Sequence, residues 1–370
     1  MPNEGVSVNM PNDGLQVIDD PALLEKMLED QEKCDNFYKP TNYWAYYENQ
    51  FLPELRRYGL KDFRRHRASV VNSFGATDLK IKPRIEFQPT IPGRNKLTRY
   101  LNVLFDKLSF VALAVNEINL DDVTLYLYSR VKEKFEALGM DLDKCPTSRF
   151  GNPEDMQEVK GGIWSREHLQ YCSMFADAAK HISFDNHSTI CELGPGMGRS
   201  IEVMAHLFPG ATLLAFDIAP QLYVSNQYLQ MVFGPRVISY KDAISVKPEP
   251  ERIKGKIVML PTWKMPEWST MKVDVFWNSA SFQEMEPDVV RNYLRLVNQM
   301  RPESIYINAI PEGNYWGEWK EGRGGTKAPV QEKYYFESLE SAYSLAHAYS
   351  TDMFLQKPDH RSYVFKRRSH

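Results

Sequence analysis

The sequence contains little cysteine, little net charge and no long apolar run, and each shortage argues against a class of protein. Four cysteines occur among 370 residues, none in a C-x-x-C pair, which argues against a secreted disulfide framework and the usual zinc spacings and favours a reducing cytoplasm. The formal net charge is −3, so nucleic acid is not expected as a main partner. The most apolar segment, Leu108–Val115, is far shorter than the ~20 residues of a membrane span, which predicts a soluble protein.

The first 150 residues divide into two predicted segments. Residues 1–20 are polar and lack a basic patch followed by an apolar core, so we expect a flexible arm and no signal peptide. Residues 21–150 predict a mainly helical domain, with apolar side chains at helical spacing near Leu23 and a helix over Asp121–Leu138. The segment 81–91 alternates between apolar and polar residues and predicts an extended segment or loop. A connecting stretch over 146–162, rich in Pro and Gly, places the domain boundary at residue 150.

Residues 151–370 predict one α/β domain, because strand-like and helix-like segments alternate as in a parallel sheet covered by helices. A helix is expected over Ser165–His181, another from Pro220 to Val232, and a third beginning at Pro287. The expected strands are Ser188–Leu193, Thr212–Phe216, Lys256–Leu260, Val273–Trp277 and Ser304–Ile310, followed by a hairpin of Met353–Gln356 and Tyr363–Lys366.

A glycine-rich turn is the strongest chemical signal in the chain. It follows a predicted strand, opens a helix and reads E-L-G-P-G-M-G from Glu192 to Gly198, a pattern that lets bare backbone approach a ligand. Arg199 stands where a dinucleotide fingerprint needs its third glycine, which disfavours NAD. Glu192 would repel a pyrophosphate and attract a cationic amine or sulfonium. Asp217, after the next strand, stands where an acid accepts ribose hydroxyls.

At these residues the chain resembles the class I S-adenosylmethionine-dependent methyltransferases, over about Ser165–Lys366. Narrower motifs at Asp274–Met285 (DVFWNSASFQEM), Asp288–Tyr293 and Leu260–Met265 are similar to the sugar O-methyltransferase family associated with glycosylated natural products and surface polysaccharides. The resemblance implies a Rossmann-like α/β fold, with a seven-stranded sheet and a C-terminal antiparallel hairpin. It also implies that the N-terminal helical region, including residues 64–75, belongs to the same family pattern and serves acceptor binding or oligomerisation.

The resemblance also implies a cofactor site for S-adenosylmethionine. Asn278 and Ser279 are expected to bind the amino acid part, and Thr262 and Trp263 to border the adenine, although Trp263 also suits core packing. The full expected set is Glu192, Gly194, Pro195, Gly196, Gly198, Asp217, Ile218, Thr262, Trp263, Asn278 and Ser279.

Methyl transfer to a sugar hydroxyl is an in-line displacement that needs a positioned acceptor and a general base. Glu284 is the first candidate base, and its alternative role is an acid at the N-terminus of the helix beginning at Pro287. His360 is the second candidate, with a surface turn as its alternative, and His168 is a weaker third. No D-x-D pair or clustered His–Asp run occurs, so no metal is indicated, and a divalent metal stays open.

Two further segments have open roles. The segment Pro311–Gln331 carries three aromatic residues and a glycine cluster, which predicts a loop closing over the acceptor or a disordered insertion. The basic run from Arg56 to Arg67 suits an anionic group on the acceptor or a solvated face. Other functions consistent with the sequence are a methyltransferase for a non-sugar natural-product hydroxyl, a nicotinamide oxidoreductase and a non-catalytic binding subunit. Oligomeric state stays open, with a homo-oligomer among the alternatives.

Overall fold

A computed structural model of the protein describes residues 18–64, 120–153, 155–313, 326–350 and 360–368. Several predictions lie outside these residues. They concern most of the N-terminal arm, the extended segment 81–91, the predicted strand Met353–Gln356, Arg65–Arg67, and the aromatic part of the segment 311–331.

The central element is a mostly parallel sheet. Its strands are β3 (Thr189–Leu193), β4 (Thr212–Asp217), β5 (Val237–Ile238), β6 (Ile257–Pro261), β7 (Val275–Ser279), β8 (Ser304–Ala309), β9 (Tyr343–Ser350) and β10 (Arg361–Arg367). They lie in the order β5-β6-β4-β3-β7-β8-β10-β9, and β10 is antiparallel to both of its neighbours. The mixed α/β architecture expected from the sequence is therefore present.

Three details of the prediction were wrong. In the described residues the sheet has eight strands and not seven, because the two-residue β5 pairs with β6 at the edge, and a strand this short has no readable periodicity. The strand that pairs with β10 begins at Tyr343, earlier than expected, and is mostly exposed. The connecting stretch over 146–162 contains the first strand of a separate hairpin, β1 (Met156–Val159) and β2 (Gly162–Ser165), which turns at Lys160–Gly161, where both φ angles are positive.

Helices cover the sheet and form the N-terminal region. They are α1 (Pro21–Glu32), α2 (Asn42–Tyr58), α3 (Leu120–Ala137), α4 (Arg166–Ala179), α5 (Arg199–Leu207), α6 (Ala219–Phe233), α7 (Tyr240–Ala243), α8 (Pro250–Ile253), α9 (Met265–Trp268), α10 (Pro287–Met300) and α11 (Glu332–Leu339). Local signals explain their starts: Ser165 caps α4 by accepting a hydrogen bond from the His168 N–H at 3.3 Å, and Pro287 is the first residue of α10. Within the described residues, no helix is both long and apolar enough to cross a bilayer.

The core consists of two apolar clusters that share the strands of the sheet. Successive side chains of β4 alternate between them, Leu213 in one and Leu214 in the other, as expected for a sheet buried on both faces. Leu23, Met27 and Phe51 of the N-terminal helices are buried in the first cluster. The described N-terminal helices therefore pack on the core of the sheet, and the domain boundary at residue 150 stays a prediction.

The segment between α1 and α2 crosses the carboxyl ends of the parallel strands. At its start, the Gln31 side chain accepts a hydrogen bond from the N–H of Ala219, the first residue of α6, at 2.7 Å. Further along, the Tyr38 carbonyl accepts the Thr262 hydroxyl at 2.8 Å. The Thr41 hydroxyl then donates to the Glu284 carbonyl at 3.0 Å. These contacts hold residues 39–44 over the edge where open α/β sheets bind ligands.

Candidate functional site

The glycine turn lies at the switch point of the sheet, between β3 and α5. In the sheet β3 lies between β4 and β7; the strand that follows β3 in the chain pairs on one side and β7 pairs on the other, and such a switch point opens a crevice above the carboxyl end of β3. Gly194, Gly196 and Gly198 all have positive φ, at 73°, 58° and 95°. A Cβ at Gly194 would stand 2.4 Å from the Ser281 side chain. The turn therefore needs glycine at position 194 for its conformation and for the close approach of the loop after β7.

Asp217 ends β4 and faces the glycine turn. One of its carboxylate oxygens accepts the Gly196 N–H at 2.9 Å, and the other accepts the Ile218 N–H at 2.8 Å. Burial nevertheless raises the pKa of Asp217 to about 7, because desolvation outweighs these two hydrogen bonds. Each oxygen keeps a second acceptor site, so the carboxylate is placed to accept further hydroxyl donors.

Glu192 is the buried acid that precedes the turn. Its side chain is 1% exposed, and its Oε2 atom has no hydrogen-bond partner among the described residues. Burial raises its pKa to about 8. A hydrogen bond with Ser200 lowers the pKa in part, and repulsion from Asp217 raises it further. A buried polar atom that no protein group satisfies costs free energy, so this oxygen is available to a hydrogen-bond donor from outside the protein, although Glu192 is not among the residues that line the cleft described below.

Glu284, in the short turn Phe282–Glu284 after β7, is the third carboxyl group of this edge; it is partly buried, and desolvation raises its pKa to about 8. Asp217 raises the pKa of both Glu192 and Glu284 by repulsion. In the described residues no lysine or arginine forms an ion pair with any of the three. A site with several buried acids and no paired cation is complementary to a positively charged ligand.

A narrow cleft of about 30 Å³ lies above these strand ends. Its walls come from the ends of four strands, from the crossing segment with the start of α2, and from α10 and the residue shortly before it: Lys39, Pro40, Thr41, Trp44, Leu193, Gly194, Asp217, Ile218, Thr262, Ser281, Met285, Val289 and Tyr293. Of the expected cofactor residues, the structure brings Gly194, Asp217, Ile218 and Thr262 to this cleft.

Other expected cofactor residues make contacts within the protein. Asn278 donates to the Leu193 carbonyl at 2.9 Å and to Ser281 at 2.7 Å, and it accepts the Phe282 N–H at 3.2 Å. Asn278 therefore joins the loop after β7 to the end of β3 and helps to position Ser281 at the cleft. The Ser279 hydroxyl contacts the Met174 sulfur at 3.2 Å. Trp263 is partly buried against both apolar clusters and lines a separate cavity, so core packing accounts for part of its environment.

The surroundings of Glu284 come from the N-terminal region. Its Oε2 accepts the indole N–H of Trp44 at 3.0 Å, and a hydrogen bond from Tyr43 also lowers the pKa of its carboxyl group. The alternative role as a helix cap is absent, because the N-cap residue of α10 is Glu286, whose carboxylate accepts the N–H groups of Lys327 and Ala328. Sequence reasoning missed Tyr43 and Trp44, and the aromatic run YWAYY at the start of α2 was the signal available.

His360 is buried and not in an exposed turn, which contradicts its alternative role. Its side chain is 9% exposed, immediately before β10. Gln283 accepts the Ile310 N–H through its side-chain oxygen, so its amide nitrogen donates to His360 Nε2 at 3.2 Å. This network assigns the imidazole proton to Nδ1. Gln283 connects His360 to the turn of Glu284. Neither His360 nor Glu284 is among the residues that line the cleft, but Trp44 and Met285, which contact or adjoin Glu284, are.

The basic run contributes to folding where it is described. Arg56 pairs with Glu25 at 2.7 Å on the surface. Arg64 is buried and donates to the carbonyls of Ser148 and Phe150 at 2.7 and 3.2 Å. A larger cavity of about 680 Å³, open to solvent, lies beside α1 and α7. Three of its four lysines already pair with acids, as in Lys26–Asp30.

No family model and no curated protein matches the chain. Among solved structures it is similar to mitomycin 7-O-methyltransferase, with 14% identity, coverage of 55% of this chain and 57% of that one, and a TM-score of 0.35. It is also similar to the S-adenosylmethionine-bound magnesium protoporphyrin IX methyltransferase of Synechocystis PCC 6803, with 13% identity, coverage of 55% and 80%, and a TM-score of 0.36. A fibrillarin/Nop5p complex matches at 14% identity, with coverage of 60% and 90% and a TM-score of 0.36. The chain thus spans little more than half of the mitomycin enzyme, and likenesses at this level assign neither family nor substrate.

Proposed function

We propose that this chain is an S-adenosylmethionine-dependent O-methyltransferase acting on a hydroxyl of a sugar or glycosylated metabolite. One observation carries the proposal: three carboxyl groups without a paired cation, two of them buried and one partly buried, lie around a positive-φ glycine turn at the switch point of the sheet. When bound, S-adenosylmethionine supplies a methyl group activated on a sulfonium. Its two positive charges and one carboxylate suit an acidic crevice, whereas the pyrophosphate of a nicotinamide cofactor would be repelled.

The residues present fit this cofactor in charge and in hydrogen bonding. Glu192 has an unsatisfied carboxylate oxygen for a cationic group. Asp217 is held by two backbone N–H groups and can still accept two ribose hydroxyls. Gly194, Ile218 and Thr262 supply cleft walls beside it, and we assign Thr262 to the adenine.

Glu284 is the general base of the proposed reaction. The acceptor hydroxyl loses its proton to this carboxylate as the oxygen–methyl bond forms, so the base becomes neutral inside a buried site. Its raised pKa of about 8 gives it more basicity than an exposed glutamate has. The Trp44 N–H holds the carboxylate in one orientation at 3.0 Å. His360 acts through Gln283, as a positioning residue for the same turn.

The sugar acceptor is the part of the proposal that rests on the motifs at 274–285, 288–293 and 260–265. The N-terminal region contributes residues 39–44 to the cleft wall, which supports its role in acceptor binding. A cytoplasmic location is proposed with it, from the scarcity of cysteine and the four free thiols.

The direct test is transfer of a labelled methyl group from S-adenosylmethionine to a panel of glycosides and matched non-sugar hydroxyl compounds. We expect transfer to glycosides that Glu284→Gln lowers strongly, while Glu249→Gln, an exposed surface change, leaves it intact. Calorimetric titration with S-adenosylmethionine and with NAD accompanies the assay. If the chain binds NAD and not S-adenosylmethionine, the proposed cofactor is wrong. If it binds S-adenosylmethionine but transfers no methyl group to any compound of the panel, the result favours a non-catalytic subunit.

A further inference from the structure

A buried cluster of two cysteines and one histidine lies outside the proposed site. Cys145 follows the short turn Leu142–Lys144 after α3, and His168 and Cys172 stand one turn apart on α4. All three side chains are fully buried, and their ligand atoms lie within 4.8 Å of one another. Cys145 is 23 positions before His168, a separation that no short sequence motif reveals.

Two of the three distances between ligand atoms in the cluster match a tetrahedral metal site, and all three are within 4.8 Å. The Cys145 and Cys172 sulfurs are 3.9 Å apart, and the Cys145 sulfur is 3.6 Å from His168 Nε2. Bond lengths of ~2.3 Å to sulfur and ~2.0 Å to nitrogen at tetrahedral angles give separations of about 3.8 and 3.6 Å. A disulfide needs sulfurs ~2.05 Å apart, so the thiols are spaced for a shared ion and not for a bond to each other.

The surroundings of the other histidine nitrogen, Nδ1 of His168, show a second, independent feature of metal sites. His168 Nδ1 lies 4.0 Å from the Glu202 carboxylate, and both Nδ1 and Glu202 Oε1 lack hydrogen-bond partners among the described residues. A carboxylate behind the non-ligating nitrogen is the usual outer shell of a metal-bound histidine. Arg199 and Tyr228 donate to Glu202 Oε2 at 2.8 Å each, and this is the carboxylate oxygen that lies 4.0 Å from His168 Nδ1.

We propose that Cys145, His168 and Cys172 bind a zinc-type divalent ion through two thiolates and Nε2. Two thiolates neutralise the ion, which suits a site fully removed from water. At present Nε2 lies 2.9 Å from the Cys145 carbonyl, a contact that the metal replaces, and this carbonyl oxygen is the nearest further donor for the fourth position. The ion has a structural role: it ties the turn after α3 to α4 and, through Glu202, to the helix that follows the glycine turn.

The test measures metal in the full chain purified without added metal or chelating resin. We expect one zinc per chain by plasma mass spectrometry, loss of that zinc in Cys145→Ser and Cys172→Ser, and retention in the control Cys191→Ala, which removes a buried thiol outside the cluster. Replacement of zinc by Co²⁺ in the wild-type chain tests the ligands without any variant. We expect the ligand-field bands of tetrahedral Co²⁺, a thiolate charge-transfer band, and a lower melting temperature after the metal is stripped.

Three results would overturn the proposal. They are a wild-type chain that neither retains zinc nor develops Co²⁺–thiolate bands, equal loss of metal in Cys191→Ala, and a Cys145–Cys172 disulfide in the native protein by mass spectrometry. None of these measurements involves the methyl donor, so their outcome is independent of the proposed function.

Discussion

The affinity for S-adenosylmethionine should depend steeply on pH because Glu192 must ionise to bind it. Burial raises the pKa of this carboxyl group from 4.5 to about 8. Its ionised fraction is then about 1% at pH 6 and about 9% at pH 7, and the apparent dissociation constant scales inversely with that fraction. Affinity should therefore rise about tenfold per pH unit from this group alone and level off above pH 8.

Calorimetric titration between pH 6 and 7 is the assay, because the amino group of the ligand begins to titrate above that range. Repeating it in buffers with different ionisation enthalpies counts the protons released on binding. Asp217 and Glu284 also have raised pKa values, of about 7 and 8, and can add to the slope. The contribution of Glu192 is the difference between wild type and Glu192→Gln. We expect wild type to release about one more proton on binding, and its plot of log affinity against pH to be steeper by about one unit. An unchanged slope in the variant would refute the electrostatic reasoning.

The same substitution should change stability in the absence of ligand. A carboxyl group whose folded pKa is raised keeps its proton in the folded state after the unfolded state has lost it. Its contribution to stability therefore falls as pH rises from about 4.5 to about 8. Glu192→Gln removes this pH-dependent loss of stability. The melting temperature of the variant minus that of wild type should therefore increase as the pH rises from about 4.5 to about 8. A difference that stays constant or falls with pH would contradict the assigned burial.

Three further predictions follow from single contacts. Glu284→Gln should lower kcat by about 10²- to 10⁴-fold with little change in cofactor affinity, measured against Glu249→Gln; equal activity of the two variants would exclude Glu284 as the base. Trp44→Phe removes the hydrogen bond that lowers the pKa of Glu284, so the rising limb of the pH–kcat profile should move to higher pH, and an unmoved limb would mean that another group titrates there. Gly194→Ala should destabilise the chain and reduce cofactor binding more than Gly139→Ala does. Both positions have positive φ, but only a Cβ at position 194 meets another residue, the Ser281 side chain at 2.4 Å. Equal unfolding midpoints in denaturant and equal affinities by calorimetry for the two variants would show that the close contact between Gly194 and Ser281 is unimportant.

Local sequence patterns were enough to predict the α/β layer and the location of the glycine turn. Strands β3, β4 and β6 are short apolar runs buried on both faces, and Ser165 and Pro287 mark helix starts through contacts within a few residues. The positions of Glu192 and Asp217 in the fold follow from the same local patterns, since Glu192 is the next-to-last residue of β3 and Asp217 is the last residue of β4; their role in binding a cofactor stays a prediction. The two-residue β5 and the exposed β9 have no such pattern and were missed or misplaced.

The environment of each acid could be decided only by the tertiary structure, because it depends on residues far away in the chain. Trp44 meets Glu284 across 240 positions and orients its carboxylate. The burial around Glu284 raises the pKa of this carboxyl group, although the Trp44 hydrogen bond lowers it in part. Cys145, His168 and Cys172 likewise become a cluster only when the turn after α3 packs on α4. Chain order specifies which local conformations are favoured, whereas desolvation and charge coupling depend on distances in space, and those exist only once the chain has folded.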